Sequence, residues 1–122
     1  MNTNSTRNDD LKDRLSGCRE ITISVTGRKS GRIIANPVWF VSDEEKLYLL
    51  PVKGSATQWY KNVLEKPSIR IDAFGAEAEL KAVPVTEAAQ VSAVVEKFRA
   101  KYGSDVKKYY SKFDVAVIAQ LR

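Results

Sequence analysis

Short connections between β-rich segments are the feature that most limits how this chain can fold. Ile21, Ile23 and Val25 alternate with polar residues, which is the period of a half-buried strand. Further segments rich in β-branched and aromatic residues lie at 33–41, 47–52, 68–74, 77–85 and 115–121. Parallel neighbours need long crossovers, and most of these segments are only a few residues apart. The sequence therefore excludes a doubly wound parallel sheet and predicts a six-stranded antiparallel sheet or barrel.

Two helical segments interrupt the strands. Ser55 and Gln58 have the spacing of a capping box, and apolar residues at helical intervals continue from there to Pro67. Thr86 is expected to cap a longer helix whose apolar stripe ends at Gly103. A short helical turn is expected around residues 105–110. The predicted class is α+β, with the helices at the periphery of the sheet.

The length of 122 residues predicts one domain. Residues 1–18 are expected to form a polar N-terminal tail with a short surface helix, and residues 19–122 the folded domain. No apolar run approaches the ~20 residues of a membrane-spanning helix. The N-terminal segment lacks the apolar stretch of a signal peptide, and the single cysteine cannot form an internal disulfide. These features predict a cytoplasmic protein.

The chain contains no histidine. This absence excludes Ser-His-Asp and Cys-His arrangements, His-based zinc sites and the usual imidazole base, so we expect no metal site. Twenty Lys and Arg against 15 Asp and Glu give a net charge of +5, which favours an anionic partner. Nucleic acid, a phosphorylated cofactor and an acidic membrane surface are all compatible with this charge.

A basic turn is the first candidate binding motif. The segment from Thr26 to Arg32 combines three cations, a hydroxyl and two glycines. Glycine lets a turn adopt positive φ and direct successive N–H groups at one point, while Arg28 and Lys29 add charge, so the turn could hold a phosphate. A solvated hairpin turn is the alternative explanation of the same residues.

Two further motifs could contact other parts of one ligand. Lys53 and Ser55 lie where the first helix is expected to begin, and the unsatisfied N–H groups of a helix start favour an anion. An ordinary capped helix is the alternative. Asn36 and Pro37 interrupt the second strand, where a bend would expose backbone donors to the polar edge of a flat ring. Trp39, two residues further on, is interpreted as a core residue.

Together these motifs resemble those of the split β-barrel deazaflavin-dependent reductases, a nitroreductase and quinone reductase family within the flavin-binding pyridoxamine-phosphate-oxidase-like superfamily. The residues that carry the resemblance are Thr26-Gly27-Arg28-Lys29-Ser30-Gly31, Asn36-Pro37-Val38-Trp39-Phe40, Lys53-Gly54, Trp59-Tyr60-Lys61-Asn62 and Pro67. The resemblance covers residues 21–71 well and extends to residue 121 less specifically. It implies a six-stranded antiparallel split β-barrel with peripheral helices.

The resemblance also implies a function and a set of site residues. The coenzyme would be the deazaflavin F420, or alternatively FMN, and it would pass hydride to a small quinone, nitro compound or enone. The phosphate and acidic tail would meet Arg28, Lys29, Ser30 and Gly31. The ring would meet Asn36, Pro37, Lys53, Gly54, Trp59 and Asn62. As catalytic residues, Tyr109 or Tyr110 could donate a proton or hydrogen bond to the acceptor, and packing or a dimer contact is the alternative role of both.

Other readings remain open from the sequence. Six cations and three tyrosines near the C-terminus could bind nucleic acid, although such a run is more often a solvated helix face. They are Lys97, Arg99, Lys101, Lys107, Lys108 and Lys112, with Tyr102, Tyr109 and Tyr110 available for stacking. A non-catalytic protein that binds lipid or a degraded cofactor on the same fold is another alternative. Two strands that are apolar on both faces, 33–41 and 47–52, predict a homodimer.

Overall fold

A computed structural model of the chain describes residues 14–43, 45–73 and 75–121. Six strands, all paired antiparallel, close into a barrel in the order β1-β2-β3-β6-β5-β4. The strands are β1 (Glu20–Thr26), β2 (Ile33–Asp43), β3 (Lys46–Leu49), β4 (Ser68–Ala73), β5 (Ala76–Val85) and β6 (Ala116–Gln120). The expected six-stranded antiparallel barrel of an α+β fold is confirmed.

The two longest strands, β2 and β5, each pair with one neighbour along their first part and with another along their second part. The first part of β2, residues 33–39, pairs with β1, and residues 40–43 pair with β3. In the same way, β5 pairs first with β4 and then with β6. The strand continues through Asn36 and Pro37 rather than ending there. Pro37 lies in the part of β2 that pairs with β1 and with no other described strand, where a missing N–H is tolerated.

The residues that alternate inward along the strands fill the barrel. The largest fully buried side chains of this interior include Phe40, Ile23, Leu47, Leu49 and Ile71. Leu15 and Cys18 are buried in the same cluster, so residues 14–18 pack onto the barrel. Residues 14–16 are helical, and the rest of the expected N-terminal tail lies outside the described residues.

Besides the helical residues 14–16, the described chain has the α-helices α1 (Gln58–Glu65), α2 (Ala88–Tyr102) and α3 (Asp105–Tyr109), and a 3-10 helical turn at Gly54–Ala56. Trp59, Tyr60 and Val63 of α1 are buried with the barrel interior. A second buried cluster joins α2 and α3 to the outer face of the barrel, with Phe98 at its centre. In the described part of the chain, no helix is long and apolar enough to cross a membrane.

The structure corrects both expected helix caps. Thr57 rather than Ser55 is the N-cap of α1, and Glu87 rather than Thr86 is the N-cap of α2. The Glu87 carboxylate accepts hydrogen bonds from the N–H groups of Ala89 and Gln90, both at 3.1 Å. A carboxylate there satisfies two of the free donors of the helix start and complements its positive end.

Candidate functional site

A pocket of about 170 Å³ lies where β2, the start of α1 and the end of α3 meet. Its lining is formed by Asn36, Pro37, Val38, Trp39, Leu50, Val52, Thr57, Trp59, Tyr109 and Tyr110. Five of the residues selected from the sequence, in three separate segments of the chain, thus line one pocket: Asn36, Pro37, Trp59, Tyr109 and Tyr110. The pocket combines aromatic and aliphatic surface with an amide and several hydroxyl groups, which is the usual character of a small-molecule site.

Trp39 forms an aromatic wall of this pocket and is only half-buried, whereas the sequence analysis treated it as a core residue. Its ring stacks on Tyr102 at 4.4 Å and lies 4.7 Å from the ring of Tyr109. The Tyr102 hydroxyl is fixed between backbone groups, since it accepts from the N–H of Phe40 at 3.0 Å and lies 2.8 Å from the carbonyl oxygen of Arg19. The buried tyrosine therefore holds the tryptophan in place.

The two candidate catalytic tyrosines have different environments. Tyr109 is 46% exposed at the edge of the pocket. Tyr110 is buried, and its burial raises the pKa of its hydroxyl above the ordinary value of 10.0. Tyr110 therefore stays protonated at neutral pH and can act as a hydrogen-bond donor, whereas Tyr109 is the one that an incoming molecule can reach from solvent.

Arg28 connects the basic turn to the beginning of α1. The Oδ1 atom of Asn62 accepts from both the backbone N–H of Arg28 at 3.0 Å and its Nη1 at 2.8 Å. Nη2 of the same guanidinium donates to Oε1 of Gln58 at 3.0 Å. Asn62 is 5% exposed, so its carbonyl oxygen needs these donors. The same end of α1 carries Thr57 and Trp59 of the pocket, and the basic turn is thus next to the pocket.

Several backbone donors of the basic turn are used within the turn itself. Gly27 N–H donates to the carbonyl of Arg32 at 2.7 Å, and Gly31 N–H donates to the carbonyl of Gly27 at 2.9 Å. The N–H of Arg32 donates to Ser30 Oγ at 3.2 Å. Gly31 has φ of 71°, as the sequence analysis expected of a glycine in this turn. These donors are not available to an anion, which would also need cationic side chains such as that of exposed Lys29.

The start of the 53–57 segment is also occupied, by a carboxylate of the protein itself. Oδ1 of Asp114 accepts from the N–H of Ser55 at 2.9 Å, and Oδ2 accepts from its Oγ at 2.6 Å. These hydrogen bonds from Ser55 hold the pKa of Asp114 below its usual value of 3.8. The position where the sequence predicted a bound anion is thus filled by Asp114.

Lys53 and Gly54 lie beside the pocket without lining it. The Lys53 side chain is exposed, and its backbone N–H donates to Thr57 Oγ1 at 2.8 Å. Gly54 is buried with φ of 56°, and a Cβ atom there would overlap Oδ1 of Asp114. Sequence reasoning missed Asp114, because its partner Ser55 is 59 positions away and no local pattern marks the contact.

Solved structures with the same fold include proteins of different kinds. An F420-H2 dependent reductase, FDR-A, is 17% identical with a TM-score of 0.66, over 84% of this chain and 94% of that chain. HutZ, a heme storage protein from Vibrio cholerae, is 14% identical with a TM-score of 0.70, over 92% of this chain and 87% of that chain. A structure described as a domain-swapped dimer is 16% identical with a TM-score of 0.66, over 97% and 98% of the two chains. At these identities the likeness shows the split-barrel fold alone.

The family relationship comes from the sequence. A search of the curated proteins found no match. Residues 11–118, which contain all six strands except the last residues of β6, match one protein family. The chain therefore belongs to the family described as "Uncharacterized protein conserved in bacteria (DUF2255)".

Proposed function

We propose that this chain is a reductase that binds the deazaflavin F420, or alternatively FMN, and delivers its hydride to a small quinone, nitro or enone acceptor. The observation that carries the proposal is the pocket between β2, α1 and α3. It gathers Asn36, Pro37 and Trp59 with both candidate tyrosines, and the basic turn adjoins it through Arg28. The fold shared with an F420-H2 dependent reductase is compatible with this function.

The side chains present fit the two chemical parts of such a cofactor. A flat ring needs apolar surface against its face, which Trp59 and Val38 supply, and polar groups at its edge, which Asn36 and Thr57 supply. The pocket, at about 170 Å³, is smaller than the roughly 300–1,000 Å³ of complete small-molecule sites. It is therefore suited to part of the ring, with the anionic tail directed along α1 to the basic turn.

The protein's own task in this proposal is to bind, orient and exclude water. The bound cofactor would supply the hydride, so no protein nucleophile and no histidine base is needed. Tyr109, at the pocket edge, would donate a hydrogen bond to the oxygen of the acceptor as negative charge develops there. Tyr110 would stay protonated beside it and keep the pocket wall in place.

A homodimer is part of the proposal. Ile33 and Ile34 of β2 are 70% and 40% exposed, which leaves apolar surface at the open edge of this strand. A second copy of the chain would cover that surface. The shared fold with a structure described as a domain-swapped dimer is in keeping with an assembly of two chains.

The decisive experiment is a fluorescence titration of the purified protein with F420 and with FMN, in parallel. We expect saturable binding of one of them, and oxidation of the bound reduced cofactor when menadione is added as acceptor. Binding without oxidation by menadione or a nitro compound would instead support a non-catalytic binding protein. Absence of binding by either cofactor would contradict the proposal.

Nucleic acid remains the rival of a different class. Several of the C-terminal cations are already engaged within the protein: Lys97 with Asp43, Arg99 with Glu96, Lys101 with the carbonyl of Phe40, and Lys112 with Asp114. This reduces the charge available to a phosphate backbone. Salt-sensitive binding of mixed oligonucleotides, with no binding of either cofactor, would favour nucleic acid.

A further inference from the structure

Asp114 joins two segments of the chain that both lead into the lining of the pocket. Both oxygens of its carboxylate accept hydrogen bonds from Ser55, one from the backbone and one from the hydroxyl. Gly54 makes this approach possible, because it has positive φ and no Cβ to collide with the carboxylate. We name this contact between Asp114 and residues 54–55 the carboxylate latch.

The latch is part of a longer contact between the same two segments. Ser111 N–H donates to the carbonyl of Val52 at 2.9 Å, and Lys53 pairs with Lys112 in an isolated parallel bridge. The first of the two segments, residues 52–55, continues to Thr57 and Trp59. The second segment, residues 111–114, directly follows Tyr109 and Tyr110. All four of these residues line the pocket. These contacts, the carboxylate latch among them, therefore hold the two lining segments together.

We propose that Asp114 is a positioning residue that sets the width of the pocket by fixing the segment of Trp59 against the segment of Tyr109 and Tyr110. This inference rests on the proposed function for its ligand, a flat cofactor ring held between those walls. Asp114 touches neither ring nor acceptor in this role and acts through Ser55. The cofactor ring must lie against one wall of the pocket and present its reactive face toward the other. Its binding therefore depends on small changes in the distance between the two walls.

The charges around the carboxylate agree with a fixed, ionised latch. Lys112 lies 3.6 Å from Oδ2 of Asp114, and Tyr60 of α1 is close enough that the negative charge contributes to raising the pKa of its hydroxyl. On the other side, Asp114 borders an open groove that also contains Arg99 of α2. The two donors of Ser55, together with the nearby Lys112, favour the charged form of the carboxylate.

The first test needs no ligand, because both tryptophans of the chain, Trp39 and Trp59, line the pocket. Acrylamide quenching of their fluorescence should increase roughly twofold in Asp114→Asn, as the walls separate. Glu87→Ala is the matched control, since it also removes a carboxylate that accepts two hydrogen bonds, here from N–H groups at the start of α2 and away from the pocket. Equal quenching in the two variants would show a merely structural role and overturn the proposal.

The second test uses F420 and FMN as probes. Asp114→Asn should bind the cofactor that the wild type binds roughly tenfold more weakly, whereas Glu87→Ala should bind it as the wild type does. Increased quenching with unchanged affinity would overturn the link between the latch and the ligand. If the wild type binds neither cofactor, the proposed function fails, and the quenching result alone decides whether Asp114 holds the walls.

A pair of substitutions at Ser55 covers the case in which Asp114→Asn does not fold. Ser55→Ala removes only the hydroxyl donor and keeps the backbone donor, so the protein should fold with an intermediate increase in quenching. Ser55→Thr keeps a hydroxyl and should restore the wild-type value. Identical quenching in Ser55→Ala and Ser55→Thr would contradict the latch.

Discussion

Single buried or half-buried polar residues decide how the candidate site is held together. The amide of Asn62 accepts two hydrogen bonds from Arg28, one from the backbone and one from the side chain, and so fixes the basic turn against α1. At the other side of the pocket, Asp114 fixes the segment of Ser55. A buried acceptor left without a donor costs about 1–3 kcal/mol, so the contact of the buried Asn62 should be kept whenever the protein is folded.

The first prediction concerns the charge of the basic turn. Arg28→Ala with Lys29→Ala should lower cofactor affinity more than tenfold, because each charge-assisted contact is worth about 1.5–3 kcal/mol. The fold should survive, since the backbone N–H of residue 28 still reaches Asn62. Fluorescence titration measures the affinity. The control is Lys66→Ala with Lys81→Ala, which removes the same charge at exposed positions. An equal loss of affinity in the control would show that the turn acts only through the net charge of the protein.

Lys53 and Trp59 should affect different steps of the proposed reaction. Lys53→Ala should slow hydride transfer to menadione more than it weakens binding of the oxidised cofactor, because a nearby cation favours the charge of the reduced form. Stopped-flow oxidation of the reduced cofactor measures this rate. An exposed lysine at the end of α1 provides the control Lys66→Ala. A wild-type rate of hydride transfer in Lys53→Ala would show that Lys53 is a solvated loop residue with no part in the reaction.

Trp59→Ala should loosen binding of both redox forms and also destabilise the protein. Trp59 is 7% exposed and packs in the barrel cluster as well as lining the pocket. Its removal should therefore lower the free energy of unfolding by about 3 kcal/mol or more. Urea denaturation measures the loss. A stability equal to that of the wild type would show that the tryptophan contributes no core packing.

The pKa of Asp114 leads to a prediction about acid stability. Hydrogen bonds from Ser55 lower this pKa in the folded state below the value of 3.8 expected when the chain is unfolded. The latch therefore contributes its full stabilisation above about pH 3.8 and loses it as the pH falls through the lower, folded-state value. The difference in unfolding free energy between wild type and Asp114→Asn should be constant at pH values well above 3.8 and shrink as the pH falls below 3.8. A difference that does not change with pH would contradict this assignment.

Helix starts show how an element depends on partners outside its own pattern. Ser55 and Gln58 have capping-box spacing, but the Ser55 hydroxyl donates to Asp114 and Gln58 accepts from Arg28. Thr57 takes the N-cap position of α1, and its own hydroxyl accepts from the N–H of Lys53. Both expected capping side chains are thus used for tertiary contacts, and the helix begins two residues later than a Ser55 cap would require.

The N-cap of α2 can be tested directly. Glu87→Ala should lower the free energy of unfolding by about 0.5–2 kcal/mol, because two N–H groups at the helix start lose their acceptor. Thr86→Ala should change it by less than about 0.5 kcal/mol, since Thr86 is exposed and precedes the cap. Urea denaturation of the two variants gives the comparison. A larger loss of unfolding free energy in Thr86→Ala than in Glu87→Ala would show that Thr86 is the N-cap residue.

Among the described strands, the first part of β2 has β1 as its one neighbour. Residues 33–39 pair with β1, and β3 pairs only with residues 40–43. Open strand edges with exposed apolar side chains favour association with another chain. Ile33 and Ile34 lie at this edge with 70% and 40% of their surface exposed. These features place the proposed dimer contact on the first half of β2.

Light scattering should therefore give a mass of about twice 13.7 kDa for the wild type. Ile33→Asp with Ile34→Asp should shift the protein to a monomer, because two carboxylates would be buried in the interface. Val83→Asp is the control, since Val83 of β5 is 50% exposed away from that edge. A monomeric wild type over a wide concentration range would contradict the dimer, and dissociation by Val83→Asp alone would move the contact to β5.

The amino-acid sequence by itself determined the strand number, the antiparallel pairing and the position of the longer helix. These features depend on local patterns: alternation along the strands, short connections between them and the apolar stripe of α2. It also selected Asn36, Trp59 and Tyr109 from separate segments, on the strength of a family resemblance, and the fold brings all three to one pocket.

Only the tertiary structure decided which polar groups remain available to a ligand. Several donors of the basic turn and of the 53–57 segment look free in the sequence, yet they are paired with Asn62, Asp114 and neighbouring carbonyl and hydroxyl groups. A hydrogen bond forms wherever the folded backbone brings a donor and an acceptor within about 3 Å, whatever their separation along the chain. Asn62 is 34 positions from Arg28, and Asp114 is 59 positions from Ser55. Neither contact could therefore be inferred from the sequence without the folded structure.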